Sequence, residues 1–209
     1  SDVYKRQRLI RAQAVEFLAD APMRLKSGLI SPVYVDNRKL FSHPEAWRDI
    51  VETMASRVEE YDLEFDIVAG VEAAGSMHAA ALAYRLGLPA IMVRQKAKTY
   101  GNHSRIEGGD VKDMRVLLLE DHISTGLSCL DAIRALRGEG AQVTQVMSIT
   151  NYAIPETQRL FKQEGIDTYD VIAFEKVVRK AKEMGVIDDE HEKLVLSLIH
   201  ISEPTRQAE

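Results

Sequence analysis

The residues best suited to chemistry follow a run of four apolar side chains in the middle of the chain. Residues 116–119 predict a buried strand, and two acidic residues, Glu120 and Asp121, come directly after it. Small hydroxyl residues and a glycine then lead to a helix predicted from about Cys129, in the order Ser124, Thr125, Gly126, Leu127 and Ser128. Backbone N–H groups and hydroxyls at a helix N-terminus suit a phosphate monoester. This segment therefore predicts an anion site at the carboxyl end of a strand.

The acidic pair in this segment would repel a phosphate placed directly against it. Carboxylates accept hydrogen bonds from hydroxyl groups and coordinate hard cations, so Glu120 and Asp121 make sense beside a sugar diol or a magnesium-bound group. A ribose phosphate fits both halves of the segment. Taken alone, an acidic strand end is commonly just solvated and a Ser-Thr-Gly turn is commonly just a helix cap, but their adjacency favours the functional interpretation.

Positive charge is concentrated in one window of an otherwise acidic chain. The formal net charge is -5, yet residues 73–106 contain no Asp or Glu. The basic residues of this window are Arg85, Arg94, Lys96, Lys98 and Arg105. An isolated loop of this kind is ordinarily solvated, but a phosphate-bearing ligand needs cations, and a glycine-containing loop could close them over it. We therefore expect the polar stretch 95–113 to form a functional lid.

Composition restricts the class of protein. With 209 residues, 45% apolar and 28% charged, the sequence is typical of one globular domain with room for a small lobe. The net negative charge disfavours non-specific binding to nucleic acid or to an anionic membrane, and the apolar runs are too short to span a bilayer. The single cysteine, Cys129, cannot form an internal disulfide, so a cytoplasmic location is expected.

Short apolar segments alternate with helical patterns from residue 66 onward. This alternation predicts an α/β sandwich with a largely parallel sheet covered on both faces. The predicted strands are 67–69, 90–93, 116–119, 143–149 and 171–174, and the predicted helices are 79–86, 130–136, 156–163 and 175–183. Upstream, the pattern predicts a helix over 8–20, a loop leading into a strand over 33–35, and a helix that begins with a capping box between Ser42 and Glu45.

The two ends of the sequence are related at the level of DNA. One string, GATGTGTATAAGAGACAG, encodes residues 2–7 (DVYKRQ), and its reverse complement encodes residues 196–201 (LSLIHI). This inverted pair resembles the ends of a transposon-type sequencing adaptor. We therefore expect 1–7 and 196–209 to be adaptor-derived and the native domain to lie within 8–195. The alternative is a polar N-terminal tail and a short C-terminal strand.

Four ordered motifs resemble those of a known family. An apolar strand, two acidic residues and a Thr/Ser-rich glycine turn, here VLLLEDHISTGLS (116–128), are the signature of the type I phosphoribosyltransferases. Three further segments are similar to those of the orotate phosphoribosyltransferases within that family. They are KSGLISPVYVDNRKL (26–40), an orotate-side segment, GVEAAGSMHAAALAYRLGLP (70–89), a diphosphate loop and its helix, and VRQKAKTYG with IEGG (93–101 and 106–109), a mobile catalytic loop.

The resemblance implies a fold, a reaction and an assembly. The fold would be a three-layer α/β sandwich with a mostly parallel central sheet and a small N-terminal hood. The reaction would transfer the phosphoribosyl group from phosphoribosyl diphosphate to orotate, with Mg2+ as cofactor, giving orotidine 5'-monophosphate and diphosphate in pyrimidine biosynthesis. The assembly would be a cytoplasmic homodimer in which the loop 94–108 completes the neighbour's site, without nucleic acid or membrane partners.

The same resemblance implies roles for individual residues. Lys98, Arg94 and Asp121 would be catalytic. The magnesium ion would be held mainly by phosphoribosyl diphosphate, and Asp121 is the candidate protein ligand. Ser124, Lys26 and Tyr34 would bind orotate. Phosphoribosyl diphosphate would be bound by the acidic strand end and turn, the diphosphate loop and the catalytic loop: Glu120, Asp121, His122, Ile123, Ser124, Thr125, Gly126, Leu127, Ser128, Ala73, Ala74, Gly75, Arg94, Lys98 and Tyr100.

Four positions depart from the residues usual in the family. Tyr100 stands where histidine is frequent, Gln95 where a basic residue is common, and Leu127 where a second glycine is frequent. Asn151 lies where some members carry an arginine for orotate. Two alternatives therefore stay open: a phosphoribosyltransferase for another base, such as a purine, and a regulator that binds phosphoribosyl diphosphate as a signal without turning it over. The segment 26–40 argues against the first, and the retained basic loop argues against the second.

Overall fold

The computed structural model describes residues 2–18, 22–24, 30–97 and 104–200, and it begins with a helix and four short strands. The elements are α1 (Asp2–Arg11), β1 (Val15–Phe17), β2 (Met23–Arg24), β3 (Ile30–Ser31) and β4 (Val33–Val35). β1 pairs with β4 and β2 pairs with β3, both in antiparallel fashion. A 3-10 helix (Asn37–Ser42) and α2 (Pro44–Glu60) then connect this N-terminal part to the central sheet.

A six-stranded sheet forms the centre of the molecule. Its strands and the helices between them are, in chain order, β5 (Ile67–Val71), α3 (Ala74–Leu86), β6 (Ala90–Val93), β7 (Ile106–Glu107), β8 (Arg115–Ile123), α4 (Leu127–Gly138), β9 (Gln142–Asn151), α5 (Pro155–Gln163), β10 (Asp167–Ala173), α6 (Phe174–Glu183) and α7 (Asp189–His200). The strand order is β10-β9-β8-β5-β6-β7. All neighbours are parallel except β7, which pairs antiparallel to β6.

Two hydrophobic clusters cover the two faces of the sheet. One joins α1, α2, α3 and α6 to sheet residues such as Leu117 and Leu119. The other joins α4 and α5 to the alternate residues, such as Val116 and Leu118. Successive residues of β8 point to opposite faces and both are apolar, as in a strand buried on two sides. The predicted three-layer α/β sandwich is thereby confirmed. Within the described ranges, no helix combines the length and the apolarity that crossing a membrane requires.

The helix predicted over residues 8–20 is wrong in its second half. α1 ends at Arg11, Gln13 takes a positive φ of 53°, and the next residues form β1. The register places Val15 opposite Val35 in β4. Pairing with a distant strand thus determined the conformation of a segment whose local spacing suited a helix, because tertiary contacts override weak local propensity.

Several other boundaries also differ from the prediction. Ser42 does not cap α2, because its Oγ donates to the main-chain oxygen of Lys39 (2.8 Å) and closes the 3-10 helix instead. α3 starts earlier than predicted, at Ala74, β8 continues to Ile123, and Phe174 begins α6 instead of ending β10. α7 includes residues 196–200, so a strand there is wrong, whereas the origin of the two ends stays a prediction.

Candidate active site

The acidic pair lies at the carboxyl edge of the sheet. β8 pairs with β5 only as far as Leu119, whereas it pairs with β9 as far as Ile123. Glu120 and Asp121 therefore lie in β8 just where its pairing with β5 has ended. Ligands of open α/β sheets bind in the crevice outside the carboxyl ends of the strands. The sheet thus presents the predicted carboxylates at the edge where a substrate would bind.

Glu120 is the buried member of the pair, with 6% of its surface exposed. Its Oε2 accepts a hydrogen bond from Ser128 Oγ (3.2 Å) and lies 3.9 Å from Cys129 Sγ, and its Oε1 accepts from the main-chain N of Asp121 (3.1 Å). Burial raises the pKa of Glu120 well above its usual value, and the charge of Asp121 raises it further. Burial also raises the pKa of Asp121. The pair therefore takes up a proton more readily than exposed carboxylates do.

A tight turn joins β8 to α4 and is held in place by α5. Gly126 has a φ of 73°, which glycine adopts without strain, and a Cβ there would lie 2.9 Å from the side chains of Thr157 and Phe161. Thr157 Oγ1 donates to the main-chain oxygen of Ser124 (3.2 Å). No side chain among the described residues caps the N-terminus of α4, so its first amides are available to an anion.

Three residues of the motif, His122, Ile123 and Leu127, have structural roles in or beneath the turn. Ile123 belongs to the core beneath the turn. His122 Nδ1 is 2.9 Å from Thr150 Oγ1 and its ring centroid is 4.3 Å from that of Tyr152, and burial lowers the pKa of His122 to about 3. The side chains of both residues are therefore engaged within the fold, and their binding of phosphoribosyl diphosphate stays a prediction. Leu127 begins α4 without a positive φ, so the missing glycine does not disturb the turn.

The loop between β5 and α3 approaches the acidic pair closely. Glu72 and Ala73 form its turn through a cis peptide bond, and α3 starts with the next residue. A Cβ on Gly75 would lie 2.6 Å from the main-chain oxygen of Leu119 and 3.4 Å from Oε1 of Glu120. No side chain caps the start of α3 in the described part of the chain. The predicted diphosphate loop and the predicted ribose-binding acids are thus brought together.

The base of the basic loop is braced against its surroundings. Arg94 N donates to Arg105 O (2.8 Å), and Arg105 Nε donates to Arg94 O (2.7 Å). Arg105 also binds Asp131 of α4 through Nη2 (2.6 Å). Gln95 N donates to Oε2 of Glu72 (2.9 Å), so the loop base is tied to the diphosphate loop. The candidate residues Lys98 and Tyr100, together with His103, lie outside the described residues.

The basic window predicted from sequence divides into two parts. Arg85 lies on α3, within the helix predicted over 79–86, and its Nε donates to Oε1 of Glu52 on α2 (2.8 Å), so its charge stands apart from the loop. Arg94 stands at the base of the loop, where its Nη1 lies 3.5 Å from Oε1 of Glu107. Its chain neighbours Val93 and Gln95 both bond to Glu72 of the diphosphate loop, and the role of Arg94 in binding diphosphate stays a prediction.

The N-terminal part reaches the acidic pair through Asn37. This side chain is fully buried, and its Nδ2 donates to the main-chain oxygen of Asp121 (2.6 Å) and to Thr150 Oγ1 (3.0 Å). Asn37 thereby joins the 3-10 helix to β8 and β9. It holds the acidic pair to the part of the chain that is predicted to bind orotate.

Tyr34, predicted to bind orotate, lies half-buried on β4. Its hydroxyl accepts a hydrogen bond from Arg38 Nη2 (3.3 Å). Neither Asn37 nor Arg38 is among the site residues predicted from sequence, although both lie in the segment 26–40. The available signal was a pair of polar side chains directly after a strand end. Lys26 lies outside the described residues.

A cavity of about 440 Å³ lies elsewhere, along the outer edge of β10. Its lining includes Arg57 and Tyr61 of α2 and Lys176 of α6, and none of the residues predicted to bind substrate. In the part of the chain that the structure describes, no three His, Cys, Asp or Glu side chains are arranged to hold a metal ion.

Comparison with known proteins agrees with this geometry. The family model described as the phosphoribosyl transferase domain matches residues 36–184. An orotate phosphoribosyltransferase from Coxiella burnetii is 42% identical over 87% of this chain and 87% of its own. The crystal structure of orotate phosphoribosyltransferase from Aeropyrum pernix superposes with a TM-score of 0.73 at 26% identity, covering 88% of this chain and 99% of that one. The Mycobacterium tuberculosis enzyme in complex with phosphoribosyl diphosphate has a TM-score of 0.65 at 26% identity, covering 85% and 99%. The chain therefore belongs to the phosphoribosyl transferase family and, within it, to the orotate phosphoribosyltransferases.

Proposed function

We propose that this chain transfers the phosphoribosyl group of phosphoribosyl diphosphate to N1 of orotate, releasing diphosphate and orotidine 5'-monophosphate. One observation carries the proposal: buried Glu120, the uncapped start of α4 and the close-packed start of α3 meet at one edge of the sheet. This arrangement offers acceptors for ribose hydroxyls between two sets of main-chain donors. A ribose with phosphate groups at both ends matches it.

The reaction is a displacement at the anomeric carbon through a cation-like transition state. The bond to orotate N1 forms as the bond to the diphosphate oxygen breaks, and negative charge leaves with the diphosphate. We assign Arg94 and Lys98 to this charge, because preorganised positive groups lower the barrier most where charge develops. Asp121 is assigned to the ribose hydroxyls. Orotate loses its N1 proton to solvent before the loop 94–108 closes, so it attacks as the N1 anion without a general base, and closure of the loop then excludes water that would hydrolyse the donor.

Magnesium fits this site as an ion carried by the substrate. Mg2+ usually keeps several waters and is bound by one or two carboxylates together with substrate phosphates. Glu120 and Asp121 offer two adjacent carboxylates, and the described residues add no third ligand beside them. We propose that Asp121 faces the ion. Bound there, the ion would neutralise charge on the departing diphosphate.

An exposed apolar face of α3 supports a homodimer. Met77 and Tyr84 are 46% and 91% exposed, and they lie two helical turns apart on the same face, with Ala80 exposed between them. α3 packs against β6, and the basic loop leaves the sheet at the end of β6. A second copy that covers this face would lie next to the loop. We propose that the loop 94–108 of each copy completes the neighbour's site.

Co-expression of two inactive chains tests the shared site. A Lys98→Ala chain and an Asp121→Asn chain should each be nearly inactive alone. Together they should recover about a quarter of wild-type turnover, because half of the dimers are mixed and each mixed dimer has one intact site. Absence of recovery in a preparation that sediments as a dimer would contradict the shared site.

One assay distinguishes the proposed reaction from its alternatives. Purified protein is mixed with phosphoribosyl diphosphate, Mg2+ and, in parallel, orotate, adenine, hypoxanthine or uracil. We expect consumption of orotate with release of diphosphate. Consumption of a purine instead would establish a different base specificity. Binding of phosphoribosyl diphosphate without consumption of any acceptor would establish the regulator.

We also propose that the reaction takes place in the cytoplasm. The chain's single cysteine, Cys129, is free and buried, which suits a reducing compartment.

A further inference from the structure

Orotate carries a carboxylate, and the residues assigned so far include no arginine for it. A guanidinium can bind a carboxylate through two parallel hydrogen bonds, whereas a lysine such as Lys26 offers a point charge. Arg94 is assigned to the diphosphate. Asn151, where related enzymes can carry an arginine, is 2% exposed, and its Oδ1 accepts from the main-chain N of Ala153 (2.8 Å). An arginine for the acceptor must therefore come from another element.

Arg38 is placed next to both the predicted orotate side and the acidic pair. It follows Asn37, whose Nδ2 donates to the main-chain oxygen of Asp121 (2.6 Å). Its Nη2 donates to the hydroxyl of Tyr34 (3.3 Å), a residue assigned to orotate. Burial raises the pKa of Asp121, and the positive charge of Arg38 opposes that rise. Arg38 is thus close enough to the reaction centre to offset the repulsion between Asp121 and an incoming carboxylate.

Asp36 holds the guanidinium of Arg38 in a fixed orientation. Nε of Arg38 donates to Oδ1 of Asp36 (2.6 Å), and Nη2 donates to Oδ2 (2.9 Å). The Arg38 side chain nevertheless stays 58% exposed, and its Nη1 takes part in neither bond. An arginine oriented by one carboxylate in this way presents its remaining N–H groups to a second one.

We propose that Arg38 binds the carboxylate of orotate and so selects orotate over pyrimidines that lack this group. The inference rests on the proposed function and adds the residue that determines its acceptor. Lys39, the next cation along the chain, forms an ion pair with Glu16 and so is engaged elsewhere. Of the two basic side chains of the described 3-10 helix, Arg38 is therefore the one that lies beside Tyr34, with Nη1 outside its ion pair with Asp36.

Two substitutions of Arg38 test the inference beside a matched control. Full-length Arg38→Gln and Arg38→Lys chains are compared with Arg48→Gln, which removes an exposed arginine of α2. Turnover is measured with Mg2+ while orotate or phosphoribosyl diphosphate is varied. Binding is measured by calorimetry with orotidine 5'-monophosphate and with uridine 5'-monophosphate, which differ only in the carboxylate.

We expect Arg38→Gln to raise the KM for orotate and the Kd for orotidine 5'-monophosphate about 10- to 100-fold, the scale of a lost charge-assisted hydrogen-bond pair. The KM for phosphoribosyl diphosphate and the Kd for uridine 5'-monophosphate should change by less than about twofold. Arg38→Lys keeps the positive charge but cannot form two parallel hydrogen bonds to a carboxylate, so it should recover part of the lost affinity for orotate. Arg48→Gln should behave as the wild type.

The possible failures are distinguishable. Wild-type protein that does not consume orotate would contradict the proposed function itself. An active wild type, with an Arg38→Gln chain that keeps its KM for orotate and its Kd for orotidine 5'-monophosphate, would overturn the role of Arg38 alone. Equal losses for the two nucleotides would also overturn it, because they would place the effect on the fold or on the ribose phosphate.

Discussion

Replacing Gly75 with alanine should separate the start of α3 from the acidic pair. Alanine is a better helix former than glycine by about 1 kcal/mol, so propensity alone predicts stabilisation. Packing around Gly75 makes the substitution destabilising instead. The added Cβ would meet the main-chain oxygen of Leu119 at 2.6 Å and the Cα of Glu120 at 3.3 Å. Both are backbone atoms, so no side-chain rotation relieves the contact.

The size of the effect of Gly75→Ala follows from the distance to Leu119. Ordinary contact begins at 3.4 Å, so α3 or β8 must move by about 0.8 Å. Overpacking of this kind typically lowers the free energy of unfolding by about 1–3 kcal/mol, which is a fall in Tm of about 2–12 °C for a chain of this size. A displacement near 1 Å in an active site costs up to about 100-fold, so kcat/KM for phosphoribosyl diphosphate should fall about 10- to 100-fold.

Gly138→Ala is the matched control for Gly75→Ala. Gly138 ends α4, and a Cβ there would have nothing within 4 Å. The control should raise the free energy of unfolding by up to about 1 kcal/mol and leave the kinetics unchanged. Thermal unfolding and steady-state turnover with varied phosphoribosyl diphosphate measure both variants. A Gly75→Ala chain as stable as the control, with an unchanged KM for this substrate, would refute the close approach of α3 to Glu120.

Charged groups and chain ends provide the other tests. Lys98→Ala should lower kcat about 100-fold or more, the scale of removing one preorganised charge-stabilising donor; unchanged turnover would remove Lys98 from the reaction. The folded-state pKa of Glu120 is raised, so the wild type should lose stability as pH rises through that pKa; Glu120→Gln should reduce this loss in urea unfolding while raising the KM for phosphoribosyl diphosphate. Burial lowers the pKa of His78 to about 4, so the unfolded chain takes up this proton first and stability falls below about pH 6.5. The contribution of His78 to the free energy of unfolding should fall by about 2 kcal/mol between about pH 7 and pH 5, so the drop measured for a His78→Gln chain should be smaller than that of the wild type by about this amount. A chain of residues 8–195 should keep orotate turnover, because the buried residues described in α1 and α7 lie inside that range; inactivity would contradict these boundaries.

Local sequence was sufficient to place together the residues that are proposed to bind phosphate and ribose. Glu120, Asp121, Ser124 and Gly126 are contiguous with the strand that precedes them and the helix that follows. A buried strand, a glycine turn and a helix start place such residues together whatever the rest of the fold does. The prediction therefore needed no knowledge of which strands are neighbours.

Pairing between distant segments was beyond the reach of local patterns. The spacing of residues 8–20 suits a helix, yet Val15 pairs with Val35 in a strand. The spacing of apolar residues shows only which conformation would let a segment bury one face. It does not show which distant segment is available to pair with it. For the same reason the ion pair between Arg85 and Glu52 was not visible from the position of Arg85 in a basic window.

The sequence by itself determined the α/β class, the acidic strand end and the turn that is proposed to bind an anion, because each depends on residues within a few positions of one another. Only the tertiary structure decided that Gly75 touches Glu120, that Asn37 bonds to Asp121, and that Arg38 is oriented beside them. These contacts join segments far apart in the chain. They depend on strand order and register, which are settled by the summed packing of the whole sheet and not by any one segment.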